Sequence, residues 1–544
     1  MRNKEHHRWS GIVNTRLSLF MRPVVLAILA AALSPVLFSL DGETETEDKT
    51  VYYIRNVEVD VSGPTIFDRP LPMGYSRPFA VMYHGELKEG EEIQGTAGLE
   101  KYMRDKTQLI MNQRVIASAV IDYTVAEAEE DGRLPVDLLV TVRDSWNIIA
   151  LPQPRYDSNE GMKLFVKARD YNFFGTMNPL RLDIGYTRNL SGIATFSLLV
   201  DTNTRFKALG LDWNLNFDNE FFYTMGEPLS YINTTGFDVE IPVKRTTLVF
   251  TLAHAVNLFA RNAEDLWPVY GKYFEGVYNA MNFALAWQIP LGVGFGDYEL
   301  TYTPSITESV PYAISPNWPL DPLHRGPITG FAHSFGVNKV DWIDNFRKGY
   351  NITLNNSYTL LPNTQNSIVA NIQYDATAIG HFIINDSLGF STRLRFAQWF
   401  NKFPLSYTLS TGDVLRGVPD MDVSADYMLS LNLDLPIRIV TFTPSTWISR
   451  KLRIFDFEVF LAPVLDMALV RDPISGRRFN PKDIYVSGGF ELVIFPTFMR
   501  SLYLRISPCF DLIKFIDQSA VPFFGRDSNG ARNIELFLGM EFSY

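Results

Sequence analysis

Leu209-Gly-Leu-Asp-Trp-Asn-Leu-Asn-Phe217 alternates without a break: its odd positions are apolar, and Gly210, Asp212, Asn214 and Asn216 fall between them. Successive side chains of a strand point to opposite faces, so such a segment has one apolar face and one polar face. The same period returns in Leu180-Arg-Leu-Asp-Ile-Gly-Tyr186 and in Leu388 to Phe396, with Arg393 and Arg395 inward. It returns again in Tyr427 to Leu435, with Asn432 and Asp434 inward, and in Ile534 to Tyr544, where every even position is apolar. From about residue 146 onward no helical period interrupts the series. Segments of about ten residues with long, aromatic-rich apolar faces match tilted strands that cross a membrane. A soluble sandwich or propeller is the competing reading, and no blade repeat is evident. The fold expected is mainly β, a transmembrane antiparallel β-barrel over 146–544.

Counting from Gly161 to Tyr544 gives about sixteen strands, give or take two. One turn resists that numbering. Val243-Lys-Arg-Thr246 is very short, as periplasmic turns are, yet the count places it outside. One strand before it, or one between Pro304 and Asp344, is therefore miscounted.

Composition limits the alternatives. The 544 residues are 46% hydrophobic and include 25 Tyr and 40 Phe, yet mean hydropathy is -0.02. A bundle of membrane helices, each needing about 20 mostly apolar residues, would sit well above zero. The formal net charge of -11 and the lack of a basic tract argue against nucleic acid as a partner. The single cysteine, Cys509, excludes an intramolecular disulfide and a cysteine-based metal cluster.

Residues 1–40 read as a secretory signal. Arg2, Lys4, Arg8, Arg16 and Arg22 precede the apolar run Val24 to Leu33, which Pro35 then interrupts. A membrane anchor is the alternative, but the run is short for a span of about 20 residues. Residues 41–50, acidic from Glu43 to Asp48, read as a flexible linker. Residues 51–145 form a different, α+β unit. Tyr52 to Val61 alternates as a strand, and Thr96 is placed to cap a helix carrying Leu99, Tyr102, Met103, Leu109 and Ile110. Val115 to Val125 and Val136 to Val142 read as strands joined by the turn-prone Glu129-Glu-Asp-Gly132.

In this order the residues resemble the superfamily of BamA, TamA and the two-partner secretion transporters, in which periplasmic POTRA domains precede a sixteen-stranded barrel. The unit 51–145 is similar to one POTRA domain, closing on Val136-Asp-Leu-Leu-Val-Thr-Val142, with a long insertion from about Pro64 to Tyr83. Asp170-Tyr-Asn-Phe-Phe-Gly-Thr176 resembles the family turn after the first barrel strand, with Asp170, Asn172 and Gly175 on its motif positions. Val414-Leu-Arg-Gly-Val418 resembles the Arg-Gly-aromatic tip of the sixth extracellular loop, which in the family folds back into the lumen. Arg416 and Gly417 match, and Val418 replaces the aromatic residue. Phe460 to Ala468 resembles the next strand's Phe-x-Asp-x-Gly pattern, with Asp466 on the acidic position and Ala468 in place of glycine.

The resemblance implies an inward-folded loop latched by Arg416, Gly417 and Asp466, since a guanidinium withdrawn from water needs a carboxylate. It implies a lateral seam between a first strand carrying Met162, Leu164, Val166 and Ala168 and the last strand. That last strand ends in an outer-membrane assembly signal with Gly539, Phe542 and Tyr544. The function implied is assembly and insertion of outer-membrane proteins, client strands being templated at the seam. Export of one dedicated polypeptide and a passive porin are the alternatives. Partners implied are the bilayer, unfolded polypeptide clients and periplasmic accessory proteins. No enzyme is expected, for there is no His-Glu-x-x-His, Walker loop or Gly-x-Ser-x-Gly, and no cofactor or metal spacing; Gly292-Val-Gly-Phe-Gly296 reads as a glycine-rich turn.

Overall fold

The computed structural model describes residues 50–544, except 64, 67–68, 71–74, 131, 158–160, 189–191, 227–228, 263–272, 296–297, 314–326, 363–367, 401–408, 411–413, 419–423, 473–476, 482–483, 501, 514–533 and 543–544. The signal at 1–40, nearly all of 41–50 and Tyr544 lie outside the described residues.

The N-terminal unit comprises β1 (Val51–Ser62), α1 (Pro78–His84), β2 (Glu92–Gln94), α2 (Gly95–Asn112), β3 (Ile116–Val125) and β4 (Leu134–Asp144). Its sheet runs in the order β2-β1-β4-β3, with β1 parallel to β4. Alternation on β4 buries Val136, Leu138, Val140 and Val142, while Leu139 points out. On β1 the buried residues jump from Ile54 to Val57, because a bulge at Arg55 shifts the phase by one. Helix α2 covers this sheet with Leu99, Tyr102, Met103 and Ile110, spaced three, one and seven apart along one face. Thr96 does not cap it. The helix begins at Gly95, directly from β2, and the Thr96 hydroxyl lies 3.1 Å from that of Tyr52 instead. The insertion supplies α1, which the sequence pattern did not reveal because only seven residues, led by Pro78, carry it.

The wall begins with β5 (Ile148–Asp157), β6 (Gly161–Asp170), β7 (Leu180–Arg188), β8 (Ala194–Ala208), β9 (Leu211–Thr224) and β10 (Ser230–Val243). It continues with β11 (Thr246–Asn262), β12 (Tyr273–Phe295), β13 (Tyr298–Tyr312), β14 (Ile328–Ile343), β15 (Phe346–Pro362), β16 (Ile368–Asn385) and β17 (Leu388–Phe400). Then come β18, in two halves (Tyr427–Asp434 and Ile437–Phe442) broken at Pro436, β19 (Phe457–Asp472), β20 (Tyr485–Pro496), β21 (Leu502–Asp511) and β22 (Ile534–Phe542). Neighbours pair antiparallel, and β22 meets β5 to close a barrel of 18 strands.

One expectation is corrected. The first barrel strand is β5, and Met162, Leu164, Val166 and Ala168 lie on β6, which is paired on both sides, to β5 and to β7. Pro152 and Pro154 hid β5, since proline lacks the ladder's donor and reads against a strand. The wall's 18 strands fall within the expected sixteen, give or take two. With β5 counted, the Lys244-Arg245 turn falls at the end nearest the N-terminal unit, as its shortness requires. We call this the near end. Leu209-Gly210 is another two-residue near-end turn, both residues at positive φ, so β9 starts at Leu211 and not at Leu209.

Outward positions are apolar and exposed, among them Phe196, Leu215, Phe217, Leu285, Trp287, Ile306, Phe331 and Leu354. Inward positions pair with one another. Asn214 and Asn216 donate to Asp238 at 3.0 and 2.8 Å, and Arg395 binds Asp375 at 2.7 Å.

The N-terminal unit lies across the near end. Tyr83 of α1 stacks under Arg205 of β8 at 4.4 Å, Asn112 of α2 donates to Asp341 of β14 at 2.9 Å, and Met499 between β20 and β21 is buried in the unit's own core. These contacts are spread around the ring, so the unit bridges the opening. Trp342 is held between two cations, Arg114 of the unit at 4.3 Å and Arg347 of β15 at 4.6 Å. Burial, then the nearby Arg500 and Arg347, push the Arg114 guanidinium below its ordinary pKa.

The joint between unit and barrel is the turn that carries Asp170, Asn172 and Gly175. Asn172 donates to Ser76 Oγ at 2.9 Å and to Asp144 at 3.3 Å, and accepts from the Met177 amide at 2.8 Å. Asp170 accepts from the Asn172 amide at 3.0 Å. Gly175 sits at φ +73, where a Cβ would meet the Tyr75 carbonyl at 2.4 Å. Asp144 is buried and receives both the amide and the hydroxyl of Ser76 at 2.8 Å.

Burial raises the Asp144 pKa, with the Ser76 bonds working against that rise. A carboxyl whose folded pKa is raised stabilises the joint fully below its unfolded value and loses that contribution as pH rises through the folded one. Asp144→Asn should remove this pH dependence of unfolding between the ordinary carboxylate range and the raised value. Asn172→Ala should cost about 1–3 kcal/mol at the joint and speed proteolysis near Ser76 in the folded protein. Unchanged digestion kinetics would show that the joint does not depend on this residue.

Candidate functional site: a loop arginine inside the barrel

The far-end connection between β17 and β18 turns back into the lumen. With 18 strands it is the seventh far-end connection, one later than the sixth expected from the resemblance. Its residues Val414 to Val418 lie against the inner faces of β18, β19, β20 and β21. Three of them, Val414, Leu415 and Val418, are buried with Ala397, Met428, Ala468, Val470 and Tyr485 in one apolar cluster. Val418, replacing an aromatic residue, is only 1% exposed, so the cluster is filled without a ring.

Arg416 leaves this cluster toward the acids. Its Nε donates to Asp466 Oδ2 at 2.9 Å and its Nη2 to Asp466 Oδ1 at 2.6 Å, a bidentate fork. The Arg416 amide adds a third bond to the same carboxylate at 2.9 Å. Nη2 also reaches Asp434 at 2.6 Å, and Nη1 reaches Glu491 at 3.2 Å. The Asp466 side chain is 1% exposed, and a carboxylate so desolvated is sustained only by cations and donors of this kind. Glu491 is shared further with Arg505 at 3.5 Å and the Ser507 hydroxyl at 3.2 Å.

Neighbouring backbone fixes the tip. Asn432 donates to the Val414 carbonyl at 2.6 Å. Gly417 adopts φ +87, and a Cβ there would stand 2.6 Å from the Phe510 nitrogen and 2.7 Å from the Cys509 carbonyl carbon. The loop backbone therefore presses directly on β21, a contact that only glycine permits.

The sequence placed Asp434 inward and singled out Asp466, and both converge on Arg416. It did not name Glu491. An acid on the polar face of the glycine-bearing strand Gly488 to Pro496 was the available signal. Of the remaining candidates, Gly539 pairs with Arg505 and Phe542 with Leu502 on β22. Gly292, at φ +65, gives its amide to Glu299 of its own hairpin at 3.1 Å.

Asp466→Ala should free the loop by about 3 kcal/mol, because the guanidinium keeps only its lesser partners. In a Cys509→Ser background, Val418→Cys should react slowly with a thiol reagent, and at least tenfold faster when Asp466→Ala is added. Equal rates would show that the ion pair does not hold the loop. Gly417→Ala should act in the same direction through the clash with β21.

No sequence-family model matches this chain, and no curated protein matches it. Among solved structures, CdiB from Acinetobacter baumannii is similar at a TM-score of 0.45 and 12% identity, over 91% of this chain and 74% of that one. BamA from Haemophilus ducreyi lacking POTRA domains 1-3 is similar at 0.37 and 10%, over 90% and 84%. The FrpB iron transporter from Neisseria meningitidis is similar at 0.32 and 10%, over 83% and 71%. At these identities the likeness is one of barrel fold.

Proposed function

We propose that this chain is an outer-membrane assembly factor that templates client β-strands at the seam between β5 and β22, its N-terminal unit facing the periplasm as a POTRA-like receiver. The observation that carries this reading is the seam itself. Among the described residues, contact between β5 and β22 is less extensive than between any other two neighbours of the strands β5 to β22. Residues two apart on a strand direct their amides to the same side, so Pro152 and Pro154 remove two donors from one edge of β5. The β5–β6 register runs unbroken from Ile148 to Asp157, which leaves the seam as the edge that tolerates the loss. An edge short of donors is where an incoming strand competes best.

A passive porin fits less well. A loop is pinned inside the lumen by Arg416, and the N-terminal unit bridges the near end. Export of a dedicated polypeptide would require both to move. Opening the seam leaves the Arg416 loop in place, which favours insertion over export. The reading is of a non-catalytic protein, its partners being the bilayer and unfolded polypeptides.

Depletion of the protein followed by quantification of outer-membrane proteins tests the role. Broad loss of barrels supports assembly, loss of one secreted polypeptide supports export, and no loss overturns both. Pro152→Val with Pro154→Val restores two donors to the edge of β5 and should tighten the seam, lowering client assembly roughly tenfold. Undiminished assembly in the double variant would remove the seam from the mechanism.

A further inference from the structure

Three near-end turns of the wall are two residues long, at 209–210, 244–245 and 344–345. The connection between β18 and β19 is different. It spans 443–456 and folds into a helical turn, α3 (Pro444–Trp447), followed by a 3-10 turn over Arg450–Phe455. Asp456 ties its base. That carboxylate accepts the Ser445 amide at 3.0 Å and the Ser445 hydroxyl, and the Asp456 carbonyl accepts the Thr497 amide at 2.9 Å.

Three large apolar side chains of this foot are more than half exposed: Trp447 is 64% exposed, Ile448 60% and Phe455 56%. Arg450, Lys451 and Arg453 are exposed beside them, and none makes an ion pair among the described residues. Thr443 to Phe455 contains no acid, and Asp456 is buried in the base.

The register fixes which way the foot points. Glu458 binds Arg438 and Asn345 inside the lumen, so the preceding Phe457 points outward. Phe442 is the cross-strand partner of Phe457 and shares its face, their rings 5.2 Å apart. Trp447 packs edge-on against Phe442 at 5.9 Å. The foot thus continues the apolar outer face of the wall, at the near end, with three cations added.

We propose that this foot, residues 443–455, is a phospholipid-binding anchor that seats Trp447, Ile448 and Phe455 in the interfacial layer and holds anionic headgroups with Arg450, Lys451 and Arg453. Indole and phenyl rings favour the interface, and exposed cations there attract anionic lipid. The inference rests on the barrel crossing a bilayer. It adds a lipid class, a leaflet and a contact that the seam does not use. The same hairpin carries Asp434 and Asp466, so the anchor fixes the depth of the strands that hold Arg416.

The test uses the full chain with Cys509→Ser, reconstituted in equal mixtures of phosphatidylcholine and phosphatidylglycerol. An environment-sensitive fluorophore is placed at Ile448→Cys, at Val440→Cys on the outward wall, or at Glu100→Cys on α2. One lipid at a time carries brominated chains. Fluorescence at 448 should be quenched, about twofold more by brominated phosphatidylglycerol than by brominated phosphatidylcholine. Arg450→Glu, Lys451→Glu and Arg453→Glu together should abolish that preference while quenching at 440 persists. A 448 probe no more quenched than the 100 probe, with 440 quenched, overturns the anchor. A preference that survives the triple reversal overturns the role of the cations. An unquenched 440 probe would instead overturn the reading that the wall meets lipid.

Discussion

A strand that crosses an apolar medium must give every backbone N–H and C=O to a neighbour, and only a closed sheet does this without leaving an edge. The architecture of this chain answers that constraint. Antiparallel neighbours satisfy the ladder around the ring, and alternation sends Leu215, Trp287 and Phe331 out while Asn214, Asp238 and Arg395 turn in. The constraint is met least well at one place. The strand that closes the ring contains Pro152 and Pro154, so the weakest line of the wall is written into its first strand.

The lumen that closure creates is where the chain can bury charge. Arg416 enters it on a loop whose apolar residues are sealed in a cluster, and three carboxylates from β18, β19 and β20 converge on it. Neither half would hold alone. Asp466 without the arginine is a stranded anion, and the arginine without the close approach at Gly417 would not reach it. The contact ties four successive strands to a loop from the opposite end, so it braces one sector of the ring and leaves the seam strands outside that brace.

Much of this was legible in the sequence because a period of two is a strong signal over nine residues. Leu209 to Phe217 and Tyr427 to Leu435 announced both faces of the wall, and Arg416 with Asp466 stood out through the family resemblance. What escaped did so for local reasons. β5 was lost to its prolines, and the turn at Lys244-Arg245, which sits at the near end only if one earlier strand is added, was the visible symptom. Helix α1 is too short to show a helical period, and its role is tertiary, through Tyr83 beneath Arg205. Glu491 was overlooked because one acid in an apolar strand gains meaning only when its neighbours across the lumen are known.

The connection between β4 and β5 is only Ser145, Trp146 and Asn147, and all three are held. Ser145 bonds back to Val115, Trp146 packs on Phe498, and the Asn147 carbonyl accepts the Tyr171 amide. β4 is an interior strand of the N-terminal sheet, so the strand lining the seam is a stiff continuation of that unit's centre. Such a splice works as a crank. A sideways displacement of β5 must swing the unit across the near end, and a load drawing on the unit must pull on the seam.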